Sequence, residues 1–134
     1  MEEIVFDIIH EYNTLESGIV VPVSLIYGTD SVDFEAKVDT GSEFCIFQRQ
    51  QGERLGLDIE SGTPLQMITA MGGFKTFGHT VNLSVLDIEM ESVVYFAAEE
   101  SFYLNILGRN GWLNRVKLGL IDYEGKLLLN AYGE

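Results

Sequence analysis

Val32, Phe34, Ala36 and Val38 alternate with Asp33, Glu35, Lys37 and Asp39, and a period of two puts the two sets on opposite faces of a β-strand. Comparable runs recur along the chain. Ile4 to Ile9 is rich in β-formers. Gly18 to Tyr27 (GIVVPVSLIY) is another such run, in which Pro22 signals an edge or a bulge. Gly28-Thr29-Asp30 reads as the turn into the alternating strand. Phe44 to Phe47 is short and apolar. Leu65 to Thr69 and Phe74 to Leu86 read as two strands joined around Gly72-Gly73, a hairpin signal. Val93 to Ala97 and Ile106-Leu107 are further strands, and Val116 to Ile121 and Lys126 to Asn130 flank Asp122-Tyr123-Glu124-Gly125 as a closing hairpin. Gln48 to Leu55 has no β-branched residue and is followed by Gly56, which predicts one short helix, and Arg109 to Arg115 predicts a second. Many short strands with one or two short helices predict a mostly-β, barrel-like domain.

At 134 residues, of which 46% are hydrophobic and 22% charged, the chain is expected to form a single domain over 1–134 with a core of its own. Its formal net charge of −13 repels phosphate backbones and excludes nucleic acid as the expected partner. No apolar run approaches the ~20 residues of a membrane helix. The start, Met1-Glu2-Glu3, has no basic region of a secretory signal. Cys45 is the only cysteine, so no intrachain disulfide forms and a reducing, cytoplasmic setting is the expectation.

Candidate chemistry centres on Val38-Asp39-Thr40-Gly41-Ser42. By itself Asp-Thr-Gly describes an ordinary turn after a strand, in which Asp caps and Gly relaxes the backbone. Its context is more specific. The triplet ends the alternating strand and precedes the apolar Phe44 to Phe47, so a carboxylate sits on a tight loop between two buried strands. By the same alternation Lys37 faces the side of Asp39.

Three blocks in order, VDTGSE at 38–43, MITAMGGFKTFG at 67–78 and NILGRN at 105–110, resemble the retropepsins, the retroviral-type aspartic proteases, and among them single-domain bacterial members. The resemblance spans about residues 38 to 113. It implies a closed barrel-like acid-protease fold with a flap hairpin, and an aspartic endopeptidase as the activity. Such enzymes use two carboxylates that share one proton, one as base toward water and the other as donor to the scissile carbonyl. This chain carries one triad, so the resemblance implies a homodimer in which each copy supplies one Asp39.

The remaining roles also follow from the resemblance. Asp39, Thr40 and Gly41 form the catalytic loop, with Thr40 bonded across the two-fold axis and Gly41 leaving room for substrate backbone. Ala70, Met71, Gly72 and Gly73 form the flap tip over a peptide substrate. Glu43 pairs with Arg109 as structural support, although glutamate is one methylene longer than the aspartate common in retroviral members. Ser42 either donates to the Asp39 carboxylate or closes a local turn. Lys37 stands where the family is usually apolar and lines the cleft. It either contacts substrate, where a cation favours acidic side chains, or extends from the rim. The chain termini, Ile4 to Ile9 and Leu127 to Asn130, are candidate interface strands.

His10 and His79 have no cysteine or carboxylate cluster at metal-ligand spacing, so neither metal nor cofactor is expected. Cys45 in its apolar strand reads as a core residue, as does Trp112 unless it lies at an interface. An alternative to the enzyme is a dimeric peptide-binding module of the same fold, in which a closing flap grips an extended chain by strand addition. A third reading, a small β-barrel with an accidental triad, leaves the second and third blocks unexplained.

Overall fold

The computed structural model describes residues 2–69 and 72–132. Ten strands, one α-helix and three short 3-10 turns make up the described chain. The alternating segment is strand β3 (Asp30–Val38), and β2 (Val20–Tyr27) pairs with it antiparallel across the Gly28-Thr29 turn. Gly28 takes a left-handed φ of +61°, which glycine adopts without strain. Val32 and Ala36 of β3 and Val21, Val23 and Leu25 of β2 are buried, as a period of two requires.

The other strands are β4 (Ile46–Phe47), β5 (Thr63–Thr69), β6 (Gly72–Val85), β7 (Ile88–Ala97) and β8 (Ile106–Leu107). With β2 and β3 they form a seven-stranded sheet in the order β2-β3-β8-β4-β7-β6-β5. The fourteen residues of β6 let it serve two neighbours along one edge. Its first part pairs with β5, and Asn82 to Val85 pair back onto β2. That last pairing closes the barrel-like ring. Phe47, Leu83, Phe96, Leu107 and Trp112 fill its inside. Each such side chain, fully buried, contributes about 1.5–3 kcal/mol. Pro22 is exposed one residue outside the stretch of β2 paired with β6, where a missing N–H costs no ladder bond.

The helix α1 (Arg49–Arg54) closes one end of the ring. A Cβ on Gly52 would lie 2.5 Å from Ile59 and 2.9 Å from Phe96, so glycine lets the helix backbone rest directly on them. Arg49 fixes the helix to the next turn with two bonds to Glu60, 2.6 and 2.7 Å. The helix expected over 109–115 is reduced to a 3-10 turn, Leu113–Arg115, because Gly111 at φ +101° interrupts the helical path.

A separate three-stranded sheet has the order β1 (Ile8–Glu11), β10 (Lys126–Ala131), β9 (Val116–Ile121). Both terminal segments expected at an interface reach this sheet. Leu127 and Leu129 are fully buried in its central strand, which is paired on both sides over 126–129, while Asn130 is paired with β9 and not with β1. The outer edges belong to β1 and β9. Of Ile4 to Ile9, only Ile8 and Ile9 are in a strand; Phe6 instead packs its ring on Gly119.

Candidate active site

The end of β3 is held on both sides. Val38 N–H donates to Ile19 O at 2.8 Å, while Lys37 and Asp39 N–H donate the other way, to Asn105 O and Leu107 O, each at 2.9 Å. The second pair belongs to the parallel match of β3 with β8, in which Val38 faces Leu107. Asp39 is therefore the last residue fixed by the ring. The chain then turns sharply, with Ser42 N–H donating to Asp39 O at 3.1 Å and Gly41 N–H donating to Asp39 Oδ1 at 3.0 Å. Asp39, Thr40 and Gly41 are exposed. Among the described residues the Thr40 side chain makes no hydrogen bond, which leaves its hydroxyl available to a partner.

The Gly-Arg segment lies against this loop. Arg109 N–H donates to Ser42 O and Asn110 N–H to Glu43 O, each at 2.9 Å, and Phe44 bridges Asn110 in parallel. Gly108 makes the approach possible. A Cβ there would fall on the Phe44 carbonyl and 2.8 Å from Ser42 O. The importance of Gly108 was not evident from the sequence, whose only hint was its place before Arg109. Gly108→Ala is expected to destabilise the protein by about 1–3 kcal/mol, since backbone rather than a flexible side chain must move. Urea denaturation measures this, and an unchanged midpoint would refute the close crossing. Asn105, also not singled out, ties α1 to this region by accepting from Gln48 N–H at 2.9 Å and donating to Gln48 Oε1 at 3.1 Å.

Two expected contacts are replaced by others. Glu43 and Arg109 do not form an ion pair within the chain: both side chains are exposed, and the ion pairs among the described residues are those of Arg49 with Glu53 and Glu60 and of Lys126 with Glu124. Their segments are joined through backbone instead. Ser42 Oγ donates to Phe44 O at 2.8 Å, so of its two readings the chain makes the local turn bond. Ser42→Ala is accordingly expected to cost about 1 kcal/mol of stability. The pH profile of any hydrolysis should stay in place, and a displaced profile would return the hydroxyl to the carboxylate.

The hairpin β5–β6 projects beyond the ring. Thr76 pairs with Ala97, the last residue of β7, and Lys75 O accepts from Ala98 N–H at 2.9 Å, after which β6 continues to Gly72 paired with β5. Thr69 faces Gly72, so Gly72 and Gly73 begin the return strand, with Gly72 at φ +111°. Ala70 and Met71, also expected at the tip, lie outside the described residues. The base of the hairpin is anchored by Phe74 stacked on Phe102 at 4.9 Å and by Thr76 Oγ1 donating to Leu65 O at 2.8 Å.

Lys37 is half-buried, with its ammonium donating to Ser17 Oγ at 3.1 Å. Cys45 is fully buried, and burial pushes its thiol up to about 11, which removes it as a nucleophile at neutral pH. Each histidine meets a backbone carbonyl: His10 that of Val20 and His79 that of Ile59. Among the described residues no group of three His, Cys, Asp or Glu is placed to hold a metal ion. Nor is any helix there long and apolar enough to cross a membrane.

A strand-borne Asp-Thr-Gly loop clamped by a Gly-Arg segment, in a chain that also carries the β5–β6 hairpin, defines a class of proteins, the aspartic proteases. The aspartyl protease family model matches residues 21–121, most of the chain and all of this site, and the chain belongs to that family. Its fold resembles that of the EIAV protease in complex with the inhibitor HBY-793, at a TM-score of 0.55 and 21% identity over 73% of this chain and 86% of that one. The chain is thus a member of the aspartyl protease family with a retropepsin-like fold. Among curated proteins, none matches the sequence.

Proposed function

We propose that the chain, as a single domain over 1–134, is an aspartic endopeptidase whose active site forms between two copies. The carrying observation is that Asp39 is exposed at the end of a fixed strand with one carboxylate oxygen held by Gly41 N–H. A rigid, solvent-facing carboxylate on a tight loop is what a general base for water needs. A single Asp-Thr-Gly triplet occurs in the sequence, so the second carboxylate is the Asp39 of another copy. One Asp39, ionised, takes a proton from the water as it attacks the peptide carbonyl. The other, protonated, donates to the carbonyl oxygen, and the tetrahedral diol collapses with proton transfer to the leaving amine.

The free Thr40 hydroxyl would bond across the axis, and Gly41 would leave space for substrate backbone. The hairpin of Gly72 and Gly73, with Ala70 and Met71, would close over an extended peptide and expel water. Glu43 and Arg109, unpaired within one chain, are available to bond across the interface or to the substrate termini. A cytoplasmic setting fits the lone, buried Cys45. The test is a mixed-peptide cleavage assay at acid pH, with and without a statine-type inhibitor. Inhibitor-sensitive cleavage supports the enzyme. Tight binding of the inhibitor with no cleavage would favour a peptide-binding module instead.

A further inference from the structure

Of the eight Lys and Arg, all among the described residues, Arg49 and Lys126 form ion pairs and Lys37 is one of the six that do not. The chain has 21 acidic residues against 8 Lys and Arg, yet among the described residues no carboxylate lies within 4.0 Å of the Lys37 ammonium. Its hydrogen-bond partner is the neutral Ser17 hydroxyl. Its alkyl stem is laid over Gly18, where a Cβ would be 3.0 Å from Lys37 Cδ, so the absence of a side chain at 18 provides its path.

The backbone fixes where this cation sits. Lys37 and Asp39 N–H both donate toward β8, to Asn105 O and Leu107 O, so the two residues are in phase and their side chains share a face, with Cα atoms about 7 Å apart. That face is the outer side of the ring, since Ala36 and Val38, which flank Lys37, face the other way, Ala36 buried and Val38 packed against the core. Val20 pairs with Lys37, and Val38 N–H reaches Ile19 O. Lys37 is opposite Val20, yet its side chain runs past Gly18 to Ser17, and so along the direction in which β3 continues to Asp39. Glu35 shares the face but is exposed and lies two residues further from Asp39, and Glu16 adjoins Ser17; neither forms an ion pair with Lys37.

We infer that Lys37 is a specificity-determining residue of this site, receiving an acidic substrate side chain beside the bond that is cut. The inference rests on Asp39 being the catalytic carboxylate. An ammonium with no carboxylate of this chain within 4.0 Å, among the described residues, keeps its charge for an incoming carboxylate. The carboxylate replaces the weaker contact with Ser17. In a homodimer the two copies of Lys37 would lie on either side of the paired Asp39 residues, favouring acidic residues on both sides of the bond.

Fluorescein-labelled statine octapeptides carrying one Glu, scanned position by position against their Gln counterparts, test it by anisotropy. Next to the statine, Glu is expected to bind about tenfold more tightly than Gln, the scale of a charge-assisted hydrogen bond. Raised salt should shrink the ratio. Lys37→Arg should keep the preference, Lys37→Met should abolish it, and Lys37→Glu should turn it toward Lys, all with unchanged melting temperatures. Equal binding of Glu and Gln, or a preference that survives in Lys37→Met, overturns the inference. In those cases Asp39-dependent cleavage can still stand. Failure of every statine peptide to bind would overturn both the inference and the protease reading on which it rests.

Discussion

Asp39→Asn is expected to lower peptide hydrolysis by at least about 10²–10⁴-fold, the usual worth of a positioned acid or base. The melting temperature should stay where it is. Both halves of this expectation come from the loop. Asp39 is exposed and contributes nothing to the core. Its backbone bonds, from its N–H to Leu107 O and from Ser42 N–H to its carbonyl, do not depend on the side chain. The amide oxygen of Asn can still accept from Gly41 N–H, as Oδ1 does at 3.0 Å. An amide cannot take a proton from water at any working pH. Cleavage rates at acid pH, read beside thermal denaturation, separate the two effects. A variant that hydrolysed peptides at the parent rate would place the chemistry elsewhere.

Much of this loop was legible in the sequence because strand periodicity and glycine turns are local. Val32 to Val38 announced β3, Gly28 its entry, and Gly125 the last hairpin, where it takes φ +67°. The alternation also put Lys37 on the side of Asp39, as the N–H directions bear out. What failed depended on distant chain. The start of β7 was missed, although Ile88, Met90 and Ser92 alternate with Glu89 and Glu91, because the turn before it has no glycine signal. Leu86 and Asp87 take φ of 49° and 70° there, a conformation that costs a leucine about 1–2 kcal/mol and that the long β6–β7 ladder imposes. Gly108 looks ordinary until Phe44 is known to cross it. The Ser42 hydroxyl had two partners within reach, and only the path of the turn decides between them.

The ring and the separate sheet also account for why one chain looks incomplete as a catalyst. The inside of the ring is packed with Phe47, Phe96 and Trp112, so no cleft passes through it. Asp39 is exposed on the outside of the ring. On the proposed reading a peptide would lie against this outer face, and a second copy would supply both the opposite wall and the second carboxylate.

Specific activity is therefore expected to rise with protein concentration and to fall toward zero on dilution below the dimer dissociation constant. Each copy carries a formal charge of −13, so association should strengthen as salt screens the repulsion. Of the terminal strands expected at the contact, β10 is already flanked by β1 and β9 over 126–129. The edges still open are those of β1 and β9, beside the exposed Ile9 and Leu120. Mixing provides the sharper measurement. With a ninefold excess of Asp39→Asn and random pairing, a wild-type chain finds a wild-type partner about one time in ten, so activity per wild-type chain should fall to about a tenth. A fold-matched control, excess Ser42→Ala, keeps its carboxylate and should not poison the mixture. Sedimentation at the assay concentration completes the test: a monomer with full activity, untouched by excess Asp39→Asn, would mean that one chain alone supplies everything the reaction needs.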